Sequence, residues 1–171
     1  MGITIHFEGK LRDQAAFDQL LESARMLAED QQWPFGLIDE PEVTLQRVVN
    51  EKDQEEYVGP VKGLWLQPHE NSEPFRLEFD ADLFIQEYIK TQFAPIEIHQ
   101  AVVEFLKSIE PLFDTFTVID EGEFYESGDL EVLEGHIDRC FEMLDQHLEQ
   151  PDKYEGPIRL ENGRIVDLVT K

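Results

Sequence analysis

The stretch "DEGEFYESGD", Asp120 to Asp129, sets five carboxylates in ten positions around two glycines and two aromatic rings. Three uses fit that pattern: a calcium loop, a docking surface for a basic partner, or the acidic first turn of a helix. A calcium loop of the EF-hand type needs oxygen ligands at positions 1, 3 and 5, Gly at 6 and Glu at 12. Counting from Glu123 puts Gly128 sixth and Glu134 twelfth, but Tyr125 third and Ser127 fifth. The twelfth position also falls inside a predicted helix, so the calcium reading is set aside.

Asp129, Glu131 and Glu134 suit the positive N-terminal end of that helix, each favoured by roughly 0.3–1 kcal/mol. Asp120, Glu121 and Glu123 lie too far from it to gain. They crowd like charges around Phe124 and Tyr125, and aromatic rings ringed by acids suit a basic, partly apolar partner. These five residues, with Trp65 as a further aromatic anchor, are the expected partner-binding set.

Two other groups could ligate a metal. On a helix at 100° per residue, His136, Cys140 and His147 fall within about 40° of one another. His136 and His147 are about 16 Å apart along the axis, so only His136 and Cys140 could share an ion. The loop "PHENSEP" carries His69 and Glu70, and the following strand adds Glu78 and Asp80. Folded together, these four would suit a hard or borderline cation. A metal-dependent enzyme or metal-binding protein, with a divalent ion as cofactor, is therefore the alternative reading.

Other chemistries lack their motifs. There is no G-x-S-x-G elbow, P-loop, G-x-G-x-x-G or H-E-x-x-H in the chain. "HEN" at His69 lacks the second histidine of a zincin. Cys140 is expected mid-helix among acids, where a thiol is poorly activated.

The charge is the outlying property. Thirty-eight Asp and Glu against 14 Lys and Arg give −24 over 171 residues. Such a surface repels phosphate backbones and anionic membranes and attracts basic proteins. Hydrophobic residues at 41%, with twelve Phe, still supply a core. Cys140 is the sole cysteine, which excludes a disulfide framework. No apolar run reaches membrane-spanning length, and "MGITIHFEGKL" lacks the basic-then-apolar order of a leader. A soluble cytoplasmic protein is expected.

The elements that must position these residues follow from periodicity. "GITIHFE" alternates as a strand, and a helix capped by Asp13 runs on to the region before Pro34. Val43 to Val49 reads as a second strand, followed by a polar loop from Asn50 to Glu56. "VKGLWLQ" and "FRLEFD" read as a hairpin whose second strand has one wet face. "DLFIQEYIKTQF" is read as a helix begun by Asp82, because Phe84 and Tyr88 stand four apart. A helix follows Pro95, then the strand "TFTVI", then a helix from Asp129 to about Glu149. Asn162-Gly163 marks a C-terminal hairpin with Glu161 opposite Arg164.

That order predicts one α+β domain over residues 1–171, an antiparallel or mixed sheet carrying three to four helices. The expected function is a non-catalytic acidic domain that docks a basic protein, for example to neutralise a toxin or as a regulatory subunit, with no cofactor required. If the acidity served solubility alone, the charge should instead be spread evenly.

Overall fold

The computed structural model describes residues 2–171. Strand β1, Thr4–Leu11, alternates buried and exposed side chains as its sequence requires. Helix α1, Gln14–Gln31, begins where the Asp13 carboxylate accepts the Ala16 N–H at 2.8 Å. It ends at Gln32 in the left-handed region, φ 59°, two residues before Pro34. Strands β2, Phe35–Val48, and β3, Gln54–Leu66, form a long antiparallel hairpin, and β4, Phe75–Phe79, joins β3.

Both arms of the β2–β3 hairpin outrun the sequence expectation, because much of it is exposed on both faces and shows no apolar alternation. Residues 54–56, expected in a loop, pair with 46–48. A register shift between Glu40 and Val43 brackets Pro41, which cannot donate to a ladder.

The segment read as a helix is strand β5, Phe84–Lys90, antiparallel to β1. Ile85 and Ile89 are core residues flanking Glu87. A charge at the middle position hides the alternation. Asp80, not Asp82, organises the turn before it: its carboxylate accepts the N–H of Asp82 at 2.8 Å and of Phe84 at 3.1 Å.

Helix α2, Ile96–Ile109, buries Val102, Phe105, Leu106 and Ile109 on one stripe. Strand β6, Phe113–Asp120, pairs with the free side of β1. A single turn of helix, α3, Phe124–Ser127, leads to α4, Leu130–Leu148, whose first turn is capped by Asp129. Short strands β7 to β10 complete the chain at Tyr154–Glu155, Ile158–Arg159, Ile165–Val166 and Val169–Thr170.

The result is a single α+β domain with all its strand pairs antiparallel. Two three-stranded sheets, β5-β1-β6 and β2-β3-β4, share one core with α1 and α2. Edge-to-face phenylalanine pairs tie them: Phe7 to Phe75, Phe75 to Phe105, and Phe17 to Phe79, with ring centres 5.6, 5.8 and 5.6 Å apart.

The C-terminal hairpin is present with a different register. Its loop holds three residues, with Gly163 at φ 86°, a conformation glycine adopts without strain. Leu160 therefore faces Arg164, donating to its carbonyl at 2.8 Å, in place of Glu161.

Candidate docking site

Within the acidic stretch, Asp120 points inward. Its side chain accepts the N–H groups of Gly122, Phe124 and Tyr125 at 2.8, 3.0 and 2.9 Å. His99 of α2 donates from Nε2 to the same carboxylate at 3.0 Å, and the Thr91 hydroxyl meets His99 Nδ1 at 2.7 Å. All three residues are buried. Burial pushes the Asp120 carboxyl upward, but the His99 hydrogen bond and charge, then the backbone donors, hold it below its ordinary value. Asp120 thus folds the turn that presents its neighbours. Phe124 also turns inward, packed beside His99.

Tyr125 is half-buried against α2. Its hydroxyl donates to Glu110 at 3.3 Å and Lys107 lies 5.2 Å from its ring centre. Burial and the Glu110 carboxylate push its phenol up to about 12. Glu121 and Glu123 do face solvent. Glu121 accepts the Thr4 N–H at 2.8 Å and stands 3.5 Å from His6, while Glu123 pairs with His136. Trp65 belongs to the other sheet, its indole laid over Gly36, where a Cβ would come within 2.7 Å of the ring.

The face of β4 expected to be wet is covered. Glu78 is buried and bonded to Arg76 at 2.7 Å, and Asp80 is paired with Arg47 at 3.5 Å. His69 accepts the Asn71 N–H at 3.0 Å within its own loop, and Glu70 gives its carbonyl to Arg159. His136 lies between Glu123 and Arg139, one turn from half-buried Cys140. Among the described residues no group of three or more His, Cys, Asp or Glu side chains is arranged to hold a metal ion.

The structure adds residues that the sequence reading omitted. A crevice of about 460 Å³ lies between β6 and the α3–α4 segment, lined by Val118, Ile119, Asp120, Glu123, Glu126, Ser127 and Val132. Ile119 is 62% exposed, so its side chain is open to a partner there. Its position at the end of "TFTVI", directly before the acids, was the available signal. The crevice thus has an apolar floor and a carboxylate rim. Comparison with known protein families, with curated proteins and with solved structures gives no match.

Proposed function

We propose that this chain is a non-catalytic docking domain for a basic protein partner. The observation that carries the reading is the crevice beside β6, where exposed Ile119 lies next to Glu123 and Glu126. Glu123 and Glu126 line it, and the segment that supplies them is acid-rich: from Asp120 to Glu149 eleven acidic residues accompany one arginine and no lysine. The field steers a cationic surface inward, and the apolar floor supplies contacts that persist at high salt.

The test is affinity capture on the immobilised protein with elution by a salt gradient. The eluted species is then offered to the doubly neutralised variant Glu123→Gln, Glu126→Gln. The reading requires a basic protein that elutes with rising salt and binds the variant about tenfold more weakly. A captured species indifferent to both changes would discard it.

A further inference from the structure

Each sheet of this protein ends in a strand whose outer peptide groups need partners, and the fold treats these edges differently. On β2, Asp39, Glu40, Pro41 and Glu42 place charge, a missing donor and a register shift along the edge. Those are devices that discourage a further strand.

On β5, alternation sends the peptide groups of Phe84, Gln86, Tyr88 and Lys90 away from β1. Every one of those carbonyls has a donor: Asp80 N–H at 3.0 Å, Arg47 at 3.3 Å, Arg164 at 2.7 Å and Glu73 N–H at 3.0 Å.

Strand β6 has neither protection. It is the last strand of its sheet. The Glu121 N–H bonds the Thr4 carbonyl at 3.1 Å, which fixes the alternation: Thr115, Thr117 and Ile119 face β1, and Phe116 and Val118 face outward. Among the described residues these outward groups meet no hydrogen-bonding partner. The run from Thr115 to Ile119 contains no charge and no proline, and all five residues favour strands. Alongside it lies the crevice walled by Val132, Glu123 and Glu126.

We infer that β6 accepts an extended, lysine- or arginine-rich segment of the partner as an additional antiparallel or parallel strand. This rests on the docking function proposed above and specifies its mode. Main-chain bonds to Phe116 and Val118 supply affinity that does not depend on side-chain identity. Alternate side chains of the added strand fall on opposite faces, so one set enters the crevice that Val118, Val132, Glu123 and Glu126 share. A lysine or arginine there lays its aliphatic stem on the valines and its charge against Glu123 and Glu126, and the same carboxylates disfavour a second copy of this chain at −24.

The experiment is residue-resolved amide hydrogen exchange of the full chain with two blocked peptides, one of four Lys-Val repeats and the same peptide methylated at every backbone nitrogen. Both carry equal charge, but only the first has N–H groups to donate to a ladder. The Lys-Val peptide should slow exchange at Phe116 and Val118 by about tenfold or more, with little change at Thr115, Thr117 and Ile119. Val118→Pro removes an outward donor and no bond to β1. It should keep the melting temperature within a few degrees yet weaken the Lys-Val peptide by about tenfold.

Equal binding of both peptides, or binding without protection of Phe116 and Val118, overturns strand addition and leaves electrostatic docking standing. Failure of both peptides to bind overturns the docking reading with it. Protection of the two amides in the free protein, with sedimentation as a dimer, would assign the edge to a second copy instead.

Discussion

The guanidinium carbon of Arg164 lies 3.9 Å from the centre of the Tyr88 ring. From that position Arg164 donates to the Tyr88 carbonyl at 2.7 Å and to Glu87 at 2.8 Å, and it approaches Glu73 at 4.0 Å. One side chain from the C-terminal hairpin thereby caps the β5 edge and compensates the buried Glu73 and the largely covered Glu87 carboxylates. Arg159 ties the same hairpin to the Ser72 carbonyl at 3.1 Å. The hairpin closes the gap between β4 and β5, which bond each other near their ends, from Asp80 to Phe84 and from Glu73 to Lys90.

Replacing Arg164 by Ala should therefore cost about 3–5 kcal/mol in urea unfolding, since it strands buried negative charge. Burial already pushes the Glu87 carboxyl upward, against the pull of Arg164. An acid raised on folding stabilises most below its unfolded pKa and loses that contribution as pH rises through the folded one. Without Arg164 the rise grows, so the deficit of Arg164→Ala should be larger at pH 7.5 than at pH 5. Adding Glu87→Gln should recover part of it.

Asp120→Asn should destabilise by about 2–3 kcal/mol, because the buried carboxylate bonds one imidazole and three backbone donors. A carboxyl lowered on folding contributes above its unfolded value, about 3.9, and loses that contribution as pH falls through the folded value. Wild-type stability should then fall with acidification across that window. The slope should be shallower in Asp120→Asn, measured by urea midpoints from pH 5 downward.

Gly36→Ala drives a Cβ against the Trp65 indole. The expected loss is about 1–3 kcal/mol, the usual range for overpacking, with a shift in tryptophan emission as the ring is displaced. Because Trp65 lies in the β2-β3-β4 sheet, away from β6, binding of a basic partner should be unchanged by this substitution.

Much of the architecture follows from local pattern. The Asp13 cap, the start of α4 near Asp129, the β1 alternation and the α2 stripe are all legible, because each is decided within a few residues. Strand β5 was not, since Glu87 occupies a position between two core isoleucines and its partner Arg164 is 77 residues away. The hairpin register was missed by one residue because Asn-Gly suits both two-residue and three-residue loops.

The acidic stretch divided in a way composition could not reveal. Asp120 and Phe124 turn inward to build the turn, Glu121 and Glu123 stay outside, and the exposed apolar residue is Ile119. Burial of Asp120 depends on His99, 21 positions earlier and on another element.

Charge-steered docking at the crevice beside β6 makes the association rate depend on salt. It is tested most directly by the association rate constant of the captured basic protein, measured from about 50 to 500 mM salt, a range over which the Debye length shrinks severalfold. Charge steering predicts a steep fall in that rate for the wild-type chain, and a slower, flatter dependence when Glu123 and Glu126 are both changed to Gln. A rate that is flat in salt, or identical in the two proteins, would contradict it.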